Sequence, residues 1–158
     1  MCCPGGKELY LYDELSADQL GQELEHAKAR NANIYAELAG YGNSADAFHL
    51  TAPREDGSGA FQAMKKALLS AHLAPSKVDY FNAHATSTSL GDAAENKAIE
   101  SLMLGEHGKK KASDVNISST KGAIGHLLGA AGAIEAVFSI LAIHEVCVER
   151  PNVNAFRD

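Results

Sequence analysis

The stretch from residue 129 to residue 143 constrains this chain more than any other part of its sequence, because as a helix it would be apolar on every side. A helix with apolar residues all round is typical of a buried position, covered from several directions by other elements. The run is shorter than the ~18 apolar residues that a membrane span needs. We therefore expect a helix enclosed within a layered domain.

Glu135 is the one acidic residue inside this apolar run. A buried carboxylate without a partner costs several kcal/mol or becomes protonated, so Glu135 needs a cation. Lys121, in a polar segment shortly before the run, is the best candidate. The alternative is that Glu135 lies at a subunit surface or pairs with residues outside this chain.

Shorter patterns predict strands that alternate with helices along the rest of the chain. The predicted helices cover residues 20–30, 58–71 and 91–104. Each has an apolar face, which holds Leu20, Leu24 and Ala27 in the first, Phe61, Met64, Ala67, Leu68 and Ala71 in the second, and Ala94, Ala98, Ile99 and Leu102 in the third. In the third helix, Glu95, Asn96 and Glu100 are predicted to lie mostly outward. The predicted strands cover residues 34–42, 78–82 and 114–118, with glycines interrupting the first. Residues 1–23 show no settled period. This alternation is typical of a layered α/β domain with a largely parallel or mixed sheet.

Composition is ordinary for a soluble α/β protein, with 46% hydrophobic and 22% charged residues in 158. The net charge of −6 argues against a general role in nucleic-acid binding. The basic run at residues 109–111 is predicted to be a solvated loop rather than a phosphate-binding patch. The three cysteines, Cys2, Cys3 and Cys147, lack metal-ligand spacing and fit a reducing compartment.

Two polar segments, residues 82–92 and 118–126, each begin where a predicted strand stops and lead into a helix. Ligand sites in α/β folds form beyond the carboxyl ends of strands, so His84 and His126 are candidate site residues. Structural hydrogen bonding is the plainer role for a single histidine. Metal binding is a third possibility, with Asp92 as the remaining ligand.

These segments resemble the two C-terminal signatures of β-ketoacyl-acyl-carrier-protein synthases. The motifs are His84-Ala-Thr-Ser-Thr-x-x-Gly-Asp92 and Ser119-Thr-Lys121-x-x-x-Gly-His126-Leu-Leu-Gly-Ala-Ala-Gly. The match runs from about residue 24 to residue 151, and residues 91–99 resemble the mitochondrial form of the elongating enzyme. The resemblance implies a thiolase-like α/β fold, as the truncated C-terminal half of a five-layer αβαβα architecture. On this basis residues 1–23 stay unassigned and residues 24–158 form the synthase C-terminal domain.

The resemblance also implies a reaction. The family is an acyltransferase of fatty acid biosynthesis, a 3-oxoacyl-acyl-carrier-protein synthase that catalyses decarboxylative Claisen condensation of malonyl-acyl-carrier-protein with an acyl thioester. No cofactor is consumed, because the phosphopantetheine arm arrives on the acyl carrier protein. The expected partners are acyl carrier protein and a second copy of the complete enzyme, with no nucleic acid, metal or membrane span. The implied location is mitochondrial, with the cytoplasm as the alternative.

The motif positions imply three kinds of site residue. These are the catalytic residues His84, His126 and Lys121, the supporting residues Glu135 and Asp92, and the pantetheine-binding residues Thr86 and Thr88. The histidine pair would donate hydrogen bonds to the malonyl thioester oxygen as negative charge develops there; losing one such donor typically costs ~10²–10³ in rate. A neutral histidine donates one ring proton, so each tautomer has to be fixed by a neighbour.

The chain departs from the family pattern in two respects. Ser89 stands where proline is usual, and none of the three cysteines lies in the strand-to-helix turn expected of the nucleophile, which belongs to the N-terminal half. We therefore expect this chain alone to be inactive. Two alternatives stay open: an inactive fragment that binds only acyl or pantetheine groups, and a thiolase-like relative with another acyl-transfer reaction. The lysine segment at residues 118–121 argues against a thiolase proper.

Overall fold

The computed structural model describes residues 8–11 and 23–145, and side chains over residues 23–143. The helices are α1 (Leu24–Ala29), α2 (Ser58–Ser70), α3 (Ser89–Met103), α4 (Lys121–Ile124) and α5 (Ala131–Glu145). The strands are β1 (Glu8–Leu11), β2 (Glu37–Tyr41), β3 (Phe81–Asn82) and β4 (Ile117–Ser118). This order confirms the predicted alternation of strands and helices, although the strands are shorter than predicted and β1 was not predicted.

The strands form two parallel pairs, β1 with β2 and β3 with β4. In the second pair Phe81 lies opposite Ile117, and Asn82 lies opposite Ser118. Because parallel strands end at the same edge, the polar segments that follow β3 and β4 leave the fold side by side. The predicted parallel pairing is confirmed where it determines the position of the candidate site.

An apolar core lies between α2, α3 and the β3–β4 pair. Its buried members are Met64, Leu68, Val78, Phe81, Ala98, Ile99, Leu102 and Met103. The predicted inward positions of α2 and α3 are confirmed by this cluster. Each large aliphatic side chain that is fully buried contributes ~1.5–3 kcal/mol relative to an exposed one.

Two close backbone approaches explain glycines that sequence patterns treat only as breakers. Gly57 precedes α2 with φ at 66°, and a Cβ there would lie 2.2 Å from the Ala94 carbonyl oxygen of α3. Gly40 lies inside β2, and a Cβ on it would lie 2.2 Å from the Ala67 carbonyl oxygen of α2. The prediction that Gly40 interrupts the strand is wrong, since the glycine instead lets β2 pack directly against α2.

Helices α1 and α5 differ from the burial that their sequences predict. In α1, Ala27 is buried as expected, but Leu24 is exposed. In α5, Glu135 is buried, whereas Phe138 and Leu141 are 40% and 42% exposed. Among the described residues, α5 is covered on the side of Glu135 and less completely at Phe138 and Leu141, so this part of the chain does not by itself enclose the helix.

Across the described ranges, the helices are all too short or too polar to cross a membrane.

Candidate functional site

The two histidine segments meet at the carboxyl edge of the β3–β4 pair. The ring centroids of His84 and His126 are 5.2 Å apart, with the ring planes perpendicular. His84 follows β3 by two residues, and His126 follows the short helix α4. The expectation that both rings converge on one place is confirmed, and their chemical roles remain predictions.

Lys121 and Glu135 form a buried ion pair next to His84. Their side chains are each 6% exposed, and Lys121 Nζ donates to Glu135 Oε1. Lys121 is the first residue of α4, and Glu135 projects from the buried side of α5. The pairing predicted from the apolar run around Glu135 is therefore confirmed. Each charge offsets the desolvation of the other.

Lys121 also contacts His84, and this contact determines which nitrogen of that ring carries the proton. Lys121 Nζ lies 3.2 Å from His84 Nδ1. An ammonium group donates hydrogen bonds and cannot accept them, so Nδ1 is the acceptor. A neutral His84 ring therefore has its proton on Nε2.

His126 reaches the same tautomer through the backbone. The Leu128 N–H donates to His126 Nδ1 at 3.3 Å, which again leaves the ring proton of a neutral imidazole on Nε2. Leu128 adopts a positive φ of 53°, a conformation that costs energy for a residue other than glycine. The backbone turn that orients His126 is thus a strained one.

Glu95 is a site residue that sequence reasoning placed wrongly, on the outer face of α3. Its side chain is buried, and its two carboxylate oxygens accept the backbone N–H groups of His84 and Ala85, each at 2.8 Å. This clamp holds a segment in which Ala85 has a positive φ of 29°. The signal was available, because Glu95 lies three and four residues before the buried Ala98 and Ile99, on the same stripe of the helix.

A polar contact joins the end of β3 to α5. Asn82 Nδ2 donates to the Glu135 carbonyl oxygen at 3.3 Å and to Ser139 Oγ at 3.4 Å. Ser139, one helical turn after Glu135, donates its own hydroxyl back to the Glu135 carbonyl at 2.8 Å. The helix that bears Glu135 is therefore hydrogen-bonded to the strand that leads to His84.

Tyr80 and Ser118 extend this polar contact along the strands. The Tyr80 hydroxyl and Ser118 Oγ are 2.7 Å apart. Burial raises the pKa of the Tyr80 phenol, the hydrogen bond with Ser118 opposes that rise, and the negative charge of Glu135 adds to it. The phenol is therefore a neutral hydrogen-bonding group beside the ion pair.

The three remaining predicted residues lie between β3 and the first turn of α3. Thr86 Oγ1 and Thr88 Oγ1 are 3.1 Å apart, on either side of Ser87, whose φ is 64°. The Asp92 N–H donates to the Thr88 carbonyl at 2.9 Å. Asp92 Oδ1 is buried without a hydrogen-bond partner among the described residues. The pantetheine-binding and supporting roles of these residues stay predictions.

Within residues 8–11 and 23–145, no group of three or more His, Cys, Asp or Glu side chains is arranged to hold a metal ion. Asp92 accordingly does not complete a three-ligand set with the two histidines. The three cysteines, Cys2, Cys3 and Cys147, lie outside the described residues. The structure therefore does not test the predictions made about these cysteines.

Comparison with known proteins gives a consistent match. Residues 35–155 match the family of the β-ketoacyl synthase C-terminal domain. The mitochondrial 3-oxoacyl-acyl-carrier-protein synthase of Arabidopsis thaliana is 59% identical over 123 residues, covering 78% of this chain and 26% of that protein. The putative mitochondrial enzyme of Schizosaccharomyces pombe is 52% identical over 136 residues, covering 86% of this chain and 32% of that protein. The chain thus spans about a third or less of these relatives.

Solved structures show the same likeness. A chain in the solved complex of a type II PKS acyl-carrier protein with its ketosynthase matches with a TM-score of 0.70 and 42% identity. The match covers 78% of this chain and 29% of the chain in that complex. A β-ketoacyl synthase from Burkholderia phymatum matches with a TM-score of 0.68 and 41% identity, over 77% of this chain and 27% of that one. The thiolase-like fold predicted for the C-terminal half is confirmed for the matched part. The chain belongs to the β-ketoacyl synthase family, and its residues 35–155 match the C-terminal domain of that family.

Proposed function

We propose that this chain provides the half of a condensation site that stabilises the malonyl enolate in a 3-oxoacyl-acyl-carrier-protein synthase of fatty acid biosynthesis. The observation that supports this most strongly is the meeting of the His84 and His126 rings at 5.2 Å. In both rings Nδ1 accepts a hydrogen bond, so a neutral ring carries its proton on Nε2, the nitrogen that can donate. Two donors of this kind suit an oxygen on which negative charge develops.

The reaction then follows from the charge that the site can stabilise. The bond between the malonyl carboxylate and its α-carbon breaks, and carbon dioxide leaves. The electron pair passes into the thioester carbonyl, whose oxygen accepts hydrogen bonds from the Nε2–H groups of His84 and His126. The enolate carbon attacks the acyl thioester held on a cysteine, and the cysteine leaves as thiolate. No electron acceptor and no added metal are needed for this balance.

The surrounding residues have separate tasks in this proposal. Lys121, held by Glu135, keeps the His84 ring in the donating tautomer. Thr86 and Thr88 hydrogen-bond the phosphopantetheine arm that an acyl carrier protein delivers, and Asp92 supports their segment. The arm belongs to the substrate, so the enzyme consumes no cofactor.

The relatives support a proposal for the partners and the location. We take acyl carrier protein as the partner and a homodimer as the assembly of the complete enzyme, as the family resemblance implies. A mitochondrial location is favoured, because the relatives in Arabidopsis thaliana and Schizosaccharomyces pombe are named as mitochondrial. Bacterial relatives such as synthase 2 of Rhizobium meliloti, at 56% identity, make the cytoplasm the alternative.

We also propose that the chain does not condense acyl groups alone, because none of its cysteines suits the task of a nucleophile. Such a thiolate needs a pKa lowered by a helix N-terminus or a neighbouring cation. The chain should be purified and supplied with acyl- and malonyl-carrier protein. Product formed only after a separate N-terminal half is added would support the proposal. Product formed by the chain alone, and lost in Cys147→Ala, would contradict it.

A chimera tests the proposed role of the two histidines. Residues 24–145 would replace the matching segment of the Arabidopsis thaliana enzyme, and β-ketoacyl product would be measured. We expect condensation, and a fall of ~10²–10³ in rate when either His84→Ala or His126→Ala is introduced. His107→Ala, at an exposed histidine away from the site, is the matched control. An active chimera that tolerates both site variants would favour the alternative of a domain that only binds acyl or pantetheine groups.

A further inference from the structure

We propose that Ser139 is a positioning residue that keeps the His84 ring in its donating tautomer, acting through Glu135 and Lys121. The proposal rests on the function proposed above and assigns a residue that lies in neither sequence motif. Ser139 is 2% exposed, in the middle of the most apolar helix of the chain. A hydroxyl buried in such a helix has to satisfy its hydrogen-bonding groups locally.

Ser139 does so in a way that gives α5 a fixed attachment point. Its hydroxyl donates to the Glu135 carbonyl oxygen at 2.8 Å, and its oxygen lies 3.4 Å from Asn82 Nδ2. The same Asn82 amide donates to the Glu135 carbonyl at 3.3 Å. The carbonyl and the hydroxyl therefore form two acceptors for one NH₂ group, which fixes both the rotation of α5 and its distance from β3.

The two groups that Lys121 contacts, the His84 ring and the Glu135 carboxylate, both lie close to this attachment point along the chain. Asn82 precedes His84 by two residues, and the Glu135 carboxylate lies on the residue whose carbonyl Asn82 binds. Lys121 spans the space between them, with Nζ bonded to Glu135 and 3.2 Å from His84 Nδ1. A small rotation of α5 would move the carboxylate, draw Lys121 Nζ away from the ring and release Nδ1.

A residue that merely fills space would behave differently. Removing the Ser139 hydroxyl would then lower stability and leave the His84 ring unchanged. The state of the ring nitrogens of His84 separates the two roles. His126 offers an internal reference, because its Nδ1 is held by the Leu128 N–H rather than by α5.

The experiment records long-range ¹⁵N–¹H ring spectra of the histidine-labelled chain at neutral pH. In Ser139→Ala we expect the ratio of Nε2–H to Nδ1–H forms of His84 to fall roughly threefold to tenfold, the effect of about one net hydrogen bond. The His126 signals should stay as they are. Ser101→Ala, at an exposed serine of α3, is the matched control and should change neither ring.

An unchanged His84 ratio in folded Ser139→Ala would overturn the proposal. If that variant does not fold, Ser139→Cys keeps the side-chain volume with a weaker donor, and the same two outcomes apply. A wild-type chain whose His84 already carries its proton on Nδ1 would instead contradict the proposed function. Failure of the two proposals is therefore distinguishable.

Discussion

The two faces of the β3–β4 pair use opposite chemistry. Phe81 and Ile117, paired across the strands, lie on the face toward α2 and α3 and join the apolar core. Asn82 and Ser118, the next pair, point to the other face, since successive side chains alternate in a strand. There Asn82 binds the Glu135 region of α5 through hydrogen bonds.

One small sheet thus supports both the stability of the fold and the candidate site. Contacts on the apolar face do not depend on direction, because the free energy of burying apolar surface depends on the area removed from water. Contacts on the polar face depend on direction, because a hydrogen bond weakens steeply when its donor and acceptor are not aligned. Only the second kind of contact can hold a lysine against one chosen nitrogen of His84.

The largest expected effect is on the polar face, at Glu135. Glu135→Ala leaves the Lys121 charge buried without its partner, so we expect a loss of ~3–5 kcal/mol in the free energy of unfolding. Urea denaturation of the chain measures it, with Glu100→Ala at an exposed glutamate of α3 as the control. A loss no larger than that of the control would mean that the ion pair is not the determinant of this face.

On the apolar face, Ile99 is the matching target. Its side chain is buried in the core at 1% exposure, and Ile99→Ala should cost ~2–5 kcal/mol by loss of contacts and creation of a cavity. Leu69→Ala, at an exposed leucine of α2, should cost little. The His84 ring signals should not change in Ile99→Ala. A change of tautomer there would show that the two faces are not independent.

Glu95 joins the two faces, because it lies on α3 beside the core and binds the backbone of the His84 segment. Glu95→Ala removes the acceptors of two backbone N–H groups, and we expect a loss of ~1–3 kcal/mol. In the chimera this variant should also lower the condensation rate, because it releases the segment that includes Ala85. An Asn96→Ala variant, at the exposed neighbouring position, serves as the control. Equal rates in both variants would remove Glu95 from the site.

The smallest expected effect is at Tyr80. Tyr80→Phe removes one hydrogen bond with Ser118 from a side chain that is 36% exposed, so the cost at neutral pH should be below ~1 kcal/mol. Because burial raises the pKa of Tyr80, the folded state holds its proton where the unfolded state, with a pKa of about 10, has lost it. The contribution of the neutral Tyr80 phenol to the free energy of unfolding is fully present below about pH 10, and it is lost as the pH rises through the pKa of Tyr80 in the folded state.

The unfolding free energy of Tyr80→Phe, measured against pH, should therefore fall less steeply above about pH 10 than that of the wild type. Tyr41→Phe, at an exposed tyrosine, is the control and should follow the wild-type curve. Parallel curves for Tyr80→Phe and the wild type would show that this phenol is not desolvated.

Sequence predicted the parts of this molecule that depend on long periodic patterns and on charge in an apolar setting. The apolar period of α2 identified its buried face, and the isolated charge of Glu135 identified Lys121 as its partner. The strands were predicted too long, since β3 and β4 pair over two residues each and leave no alternation to detect. Glu95 was predicted to lie outward because it is charged, although its spacing from Ala98 and Ile99 puts it on the buried stripe of α3.

The burial of α5 was overestimated for a different reason. Residues that are apolar all round indicate that a helix is covered, but they do not indicate whether its cover lies in the same stretch of chain. Phe138 and Leu141 are exposed among the described residues, while Glu135 and Ser139 on the other side are buried. The side with the polar residues is thus the one that faces β3.

The central claim is that His84 and His126 both present an Nε2 proton to one oxygen, and their tautomers test it most directly. Ring ¹⁵N–¹H spectra of the wild-type chain at neutral pH should show Nε2 protonated and Nδ1 unprotonated in both histidines. That result is required by the Lys121 and Leu128 donors at the two Nδ1 atoms. A spectrum in which either ring carries its proton mainly on Nδ1 would contradict the account, since that ring would then have no proton on Nε2 to donate.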